Sequence, residues 1–208
     1  MNVLRFGKEG AKRILIRMAG AHETVSLEHE VKLIRELSGS DDFYMLVFAV
    51  DDWNLELSPW EAPPAFGKEG FGGQAPQSLT LVLDAIKTES AASRFYIGGY
   101  SLAGLFALWA ACRTDVFAGV AAVSPSVWFP GFEEFIQKND IGTKAVYLSL
   151  GDKEAKTKNA LMSQVGDKIQ RIHKALEGKV NITFEWNKGN HFREPDLRMA
   201  KGFAWLLK

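Results

Sequence analysis

An α/β fold built on a mainly parallel sheet of about six strands is what the sequence predicts, and three observations predict it. Short apolar, β-branched runs alternate with segments of helical periodicity almost from end to end. Several of these runs, Tyr44 to Val50 above all, are apolar without interruption, as strands are when both faces of a sheet are covered. Between Arg94 and Leu108 one run passes through the glycine pair Gly98-Gly99 straight into a helix of small residues, the tight strand-to-helix turn that a parallel sheet needs.

The elements follow in order. Arg13 to Met18 is the first strand, and a helix from about Ser26 places Leu27, Val31, Ile34 and Leu37 on one face. Tyr44 to Val50 is the second strand. A helix with Leu79, Val82, Leu83 and Ile86 leads to the third, Arg94 to Gly98. Gly119 to Val123 is the fourth strand and Ala145 to Leu150 the fifth. A longer helix carries Leu161, Val165, Ile169, Ile172 and Leu176; Asn181 to Trp186 is the sixth strand, and a closing helix carries Leu197, Ala200, Phe203 and Leu207. At 208 residues the chain fits a single domain, 1–208, with a substantial core. One stretch breaks the rhythm: Asp51 to Ser78 holds Pro59, Pro63, Pro64 and Pro76 with Gly67, Gly70, Gly72 and Gly73. Trp53, Trp60, Phe66 and Phe71 within it seek burial, so the segment is expected to be an ordered loop over a functional site.

Composition narrows the function classes. With 47% hydrophobic and 24% charged residues the chain reads as an ordinary globular protein rather than a disordered one. Its 25 basic and 25 acidic residues cancel, so nothing draws it to nucleic acid or to an anionic membrane, and a small molecule is the expected partner. Cys112 is the lone cysteine and reads as part of the core. Charges at Arg5, Lys8, Glu9, Lys12, Arg13 and Arg17 interrupt the N-terminus, no stretch is long enough to span a bilayer, and a cytoplasmic address is expected.

The chemistry begins at Gly99-Tyr100-Ser101-Leu102-Ala103-Gly104. A serine on a sharp turn between strand and helix is the form of a nucleophile elbow, because a hydroxyl is a poor nucleophile and must project toward both substrate and base. Alanine stands at 103, where the last glycine of G-x-S-x-G usually falls, with Gly104 one place later. Of the four histidines, His191 lies in a loop beyond the last strand's carboxyl end, where open parallel sheets place functional groups. His22 follows the first strand and is expected to border the site without acting in it. An orienting acid is sought between Ser101 and His191, and Gly151-Asp152-Lys153-Glu154 after the fifth strand offers two, Asp152 and Glu154. Backbone amides of Leu102 and of Ala21, in the loop after the first strand, are the candidate oxyanion donors. The histidines show no metal-ligand spacing, there is no Cys-x-x-Cys, and Gly70-Phe71-Gly72-Gly73 follows no clear strand and precedes no phosphate-binding lysine. Neither a metal nor another cofactor is expected.

These marks, with Val116-Phe117-Ala118-Gly119-Val120-Ala121-Ala122-Val123-Ser124-Pro125-Ser126 and the loop of His191, resemble the α/β-hydrolase superfamily. Within it the likeness is to the esterase group that includes siderophore, feruloyl and S-formylglutathione esterases, and it covers about Arg13 to Lys208. The resemblance implies an α/β-hydrolase fold shortened at its N-terminus by two strands, and catalytic roles for Ser101, His191 and an acid. It favours Glu154, since an acid at the third place beyond the glycine recurs after this strand, with Asp152 as the alternative. The expected activity is a cofactor-free serine esterase cleaving a small carboxylic ester through an acyl-enzyme, with Trp53, Trp60 and Trp128 as candidate pocket walls. An acyltransferase or peptidase using the same triad, or a non-catalytic binding protein on this fold, are the alternatives.

Overall fold

The computed structural model describes residues 2–89 and 93–208. In chain order its first half comprises β1 (Asn2–Gly7), β2 (Arg13–Gly20), a 3-10 turn (Ala21–Ser26), α1 (Leu27–Ser38), β3 (Tyr44–Val50), α2 (Trp53–Glu56), β4 (Glu61–Ala62), β5 (Phe71–Gly72) and α3 (Ala75–Ile86). The second half comprises β6 (Arg94–Tyr100), α4 (Leu102–Ala111), β7 (Phe117–Val123), α5 (Phe132–Lys138), β8 (Ala145–Gly151), a 3-10 turn (Met162–Gln164), α6 (Val165–Leu176), β9 (Asn181–Asn187) and α7 (Pro195–Leu206).

Seven strands form one sheet in the order β1-β3-β2-β6-β7-β8-β9. All neighbours run parallel except β1, which pairs antiparallel with β3, Asn2 opposite Ala49 and Gly7 opposite Tyr44. Strand β2 shows why both faces are covered. Its Ile14, Ile16 and Met18 join a core with Val82 and Ile86 of α3, Leu105 and Phe106 of α4, and Ile169 and Ile172 of α6. Its Leu15 and Ala19 face the other way, into a core with Val31 and Ile34 of α1 and Met199 and Phe203 of α7. Arg17 lies between those two on the same face and is 1% exposed.

The six expected strands are all present, while β1 was not anticipated. As an edge strand with one neighbour it is only half-buried, and Arg5 and Gly7 dilute its apolar pattern. Helices α2 and α5, of 4 and 7 residues, are too short for periodicity to reveal. Leu161 and Leu207 fall just outside α6 and α7, and Leu37 is exposed on the last turn of α1. Cys112 caps α4 with its side chain partly buried, and burial pushes its thiol up to about 11. Among the described residues no helix is long and apolar enough to cross a membrane. The carboxyl ends of β2, β6, β8 and β9 lie along one edge of the sheet and deliver Gly20, Tyr100, Gly151 and Asn187 there.

Candidate active site

Ser101 stands alone between β6 and α4 with φ 58° and ψ −122°. A side chain held there costs on the order of 1–3 kcal/mol and persists only where its surroundings impose it. The surroundings are visible: the Ser101 amide donates to the Val123 carbonyl (3.0 Å), and its carbonyl accepts from the Ser126 amide (3.0 Å). Every residue of α4 behind it is buried. A Cβ at Gly99 would sit 2.4 Å from the carbonyl carbon of Ala103, and one at Gly104 would sit 2.9 Å from the Gly99 carbonyl oxygen. Glycine is therefore required at 99 and 104, and the space left by Gly99 is what admits alanine at 103. The Ser101 hydroxyl shares a hydrogen bond with the Ser126 hydroxyl at 3.2 Å.

His191 follows β9, and its Nδ1 lies 2.7 Å from Oε2 of Glu154. The other oxygen of that carboxylate accepts from the Gly151 amide (2.6 Å), the Ser124 hydroxyl (2.7 Å) and Nη1 of Arg198 (3.0 Å). Burial alone would raise the Glu154 carboxyl. The hydrogen bond and charge of His191, with the Ser124 and Gly151 donors, outweigh it and hold the group below the ordinary carboxylate range. Asp152 is exposed and accepts the Gly189 amide (2.7 Å). Of the two acids on this turn, then, Glu154 meets the imidazole and Asp152 pins the turn before it. The Tyr100 hydroxyl donates to the carbonyl of His191 (2.7 Å).

Leu102 and Ala21 each open a helical segment, α4 and the first 3-10 turn, at the carboxyl ends of strands paired with Met18 opposite Gly99. First-turn amides have no partner within their own helix, which leaves such N–H groups available to an anion. Beneath Ala21 lies a buried charge cluster. Glu23 accepts the Gly20 amide (2.8 Å) and Nη2 of Arg17 (2.5 Å), and Nε of Arg17 donates to Glu30 (3.3 Å). Burial drives the Glu30 carboxyl up to about 7 against the pull of Arg17. For Arg17 burial works downward, but the two glutamates outweigh it and hold the guanidinium above its ordinary value.

Two cavities meet at Ser101 and His191. The larger, about 490 Å³, is walled by Phe66, Trp128, Met162 and Val165, with Glu154 and Lys153 in its lining. The smaller, about 250 Å³, is walled by His22, Glu23, Trp53 and Asp196. Trp128 lines the larger cavity and Trp53 the smaller, where His22 lies edge-on to Trp53 at 6.1 Å. Trp60 lines neither cavity. Its indole N–H donates to the Pro130 carbonyl (3.0 Å), and its ring packs against Phe129 and Phe135, with centroids 5.7 and 5.6 Å away. The expectation of a pocket wall at Trp60 is corrected: it anchors the 51–78 segment to α5 and the chain just before it, a partnership between distant segments that no local pattern announces. From the same segment Phe66 reaches the larger cavity, 55% exposed.

Sequence reasoning passed over Arg198, Tyr100 and Ser126. The signal for Arg198 was present, a charge amid the apolar residues Leu197, Met199 and Ala200 of the closing helix.

No family model matches the chain. An uncharacterized protein of Bacillus subtilis (strain 168), YbbA, is 26% identical over 170 residues, 73% of this chain and 68% of that one. Among solved structures, an IroE-like serine hydrolase from Shewanella oneidensis superposes with a TM-score of 0.77 at 16% identity, covering 99% of this chain and 75% of that one. The siderophore hydrolase EstA from Aspergillus nidulans gives 0.71 at 17% identity, with 97% and 85% covered. Est1E from Butyrivibrio proteoclasticus gives 0.65 at 14% identity, with 99% and 93% covered. The chain has the α/β-hydrolase fold of these proteins.

Proposed function

We infer that this protein is a serine hydrolase that cleaves a small carboxylic ester through an acyl-enzyme, using Ser101, His191 and Glu154. The observation that carries the reading is that the strained Ser101 turn and the His191–Glu154 pair, 2.7 Å apart, face one cavity. Serine hydrolases and a siderophore hydrolase among the proteins of like fold support the class of reaction. In this reading His191 removes the proton from the Ser101 hydroxyl as Oγ attacks the ester carbonyl. Glu154 fixes the imidazole tautomer through Nδ1 and stabilises the imidazolium. The Leu102 and Ala21 amides receive the developing oxyanion. His191 then gives its proton to the leaving alcohol and activates water, which releases the acid and regenerates the serine.

The test is labelling with a fluorophosphonate followed by peptide mapping, together with Ser101→Ala. The modification is expected on Ser101, and the variant is expected to lose p-nitrophenyl acetate hydrolysis by up to about a million-fold. More than a few percent of residual turnover, with an unchanged circular dichroism spectrum, would sink the assignment. Release of acid into water separates a hydrolase from a transferase, which would deliver the acyl group to an added alcohol or amine instead.

A further inference from the structure

We propose that Arg198 is the positioning residue of this site, its guanidinium holding the Glu154 carboxylate and the His191 loop in one frame against the strand that carries Ser101. The proposal rests on the reading of Ser101, His191 and Glu154 as an acyl-transfer triad.

Arg198 lies in the first turn of α7 and is 2% exposed. Its Nη1 is 3.0 Å from Oε1 of Glu154 and within reach of the Ser124 hydroxyl (3.3 Å) and the Tyr100 hydroxyl (3.2 Å). Its Nη2 donates to the carbonyls of Lys188 (3.0 Å) and Asn190 (3.1 Å), which bracket Gly189 in the turn before His191. Tyr100 completes the frame, since it donates to the His191 carbonyl at 2.7 Å and is the chain neighbour of Ser101. One side chain thus touches the acid, the loop of the base and the residue before the nucleophile.

The chemistry of the guanidinium explains why an arginine stands here. A planar fork offers N–H groups in fixed directions, so one nitrogen can serve the carboxylate while the other serves the loop carbonyls. An ammonium is a point charge and serves one side or the other. A buried cation is also costly unless it is paired, and the carboxylate that pairs with Arg198 is the one that faces His191. The division of that carboxylate follows: Oε1 is occupied by Gly151, Ser124 and Arg198, and Oε2 is left to the imidazole. Take the guanidinium away and two things change. The loop carbonyls lose their donor, and the buried Glu154 carboxylate keeps only Gly151 and Ser124 on Oε1.

The test uses the full-length protein, Arg198→Lys and Arg198→Met, with p-nitrophenyl acetate as substrate and folding followed by circular dichroism. Arg198→Lys keeps the charge and loses the fork. Its kcat is expected to fall about a hundredfold, the cost of a displacement on the order of 1 Å, with KM changed less than threefold. In Arg198→Met the loss is larger, and millimolar guanidinium restores part of the rate. A merely structural arginine would show no rescue. A wild-type kcat in Arg198→Lys overturns the proposal, whether or not Arg198→Met folds. Absence of fluorophosphonate labelling at Ser101 in the unmodified protein overturns the triad reading instead, so the two failures are distinct.

Discussion

The Asp152 carboxylate accepts the Gly189 amide at 2.7 Å, a bond that ties the turn after β8 to the turn after β9. Gly189 holds φ at +105°, and a Cβ there would meet the Arg193 side chain, so this tie secures a turn that only glycine fits comfortably. The two acids of the β8 turn therefore separate by task. One holds backbone; the other holds the imidazole.

That separation predicts unequal mutants. Glu154→Gln should fold and lose roughly 10⁴ in kcat, because an amide favours the wrong tautomer and cannot stabilise the imidazolium. Asp152→Asn keeps an acceptor for the Gly189 amide and should stay within a few-fold of the unmodified protein. Steady-state kinetics on both variants decides the matter, and a large loss at Asp152 with a small one at Glu154 would reverse the roles.

The elbow predicts a contrast in stability. Gly99→Ala sets a Cβ against the Ala103 backbone, where no side-chain rotation relieves it, and should cost more than about 3 kcal/mol or prevent folding. Ala103→Gly, which restores the usual pentapeptide, should lower stability by only about 1 kcal/mol and leave kcat unchanged. Denaturant titration of the pair, with activity measured alongside, checks both.

Glu30 predicts a pH dependence of folding. Its folded pKa, about 7, lies above the ordinary carboxylate value of 4.5. A group shifted in this direction contributes stability that is fully present below about pH 4.5 and lost as pH rises through about 7. Glu30→Gln, neutral throughout, should escape that loss. Its stability relative to the unmodified protein should improve by up to about 3 kcal/mol between pH 4.5 and 8, read from urea midpoints across the range. A constant difference across that range would contradict the buried, raised carboxyl.

The tryptophans predict a division of labour. Trp128→Ala and Trp53→Ala alter different cavities, so the first should change KM mainly across one half of an ester series and the second across the other half. Trp60→Ala removes packing on Phe129 and Phe135 and should lower stability by about 3 kcal/mol with kcat/KM unchanged. A set of esters varied separately in acyl and alcohol groups, run beside thermal melts, distinguishes the three.

Strands buried on both faces and helices of three turns were legible because their patterns are long: Tyr44–Val50 has no polar residue to confuse it, and α1 sets Leu27, Val31 and Ile34 at regular spacing. The elbow was legible because its glycines answer local steric demands. The preference for Glu154 over Asp152 rested on the resemblance alone, since both sit on one turn and the path of β9 decides which meets His191. Trp60 misled for a related reason: aromatic residues announce burial but not its place. Arg17 and Arg198 were each a charge amid an apolar run. Such a charge departs from the pattern where a buried partner, Glu30 or Glu154, waits on another element.

Strand β6 sits at the centre of the sheet, between β2 and β7, and its partner in β2 comes from far upstream, Arg13 opposite Arg94. Closing so wide a loop costs entropy before any native contact compensates, and sheets joined in this way assemble slowly. Chain order adds a second delay, because the segment carrying His191 is made well after the one carrying Ser101. A growing chain that has just passed β6 already holds the β2 edge, yet it lacks Val123 and Ser126, whose backbone bonds hold the serine turn, and the imidazole that meets Glu154. On the proposed triad, turnover therefore requires the finished sheet, and its recovery during refolding is expected to follow the docking of β7, β8 and β9 onto β6.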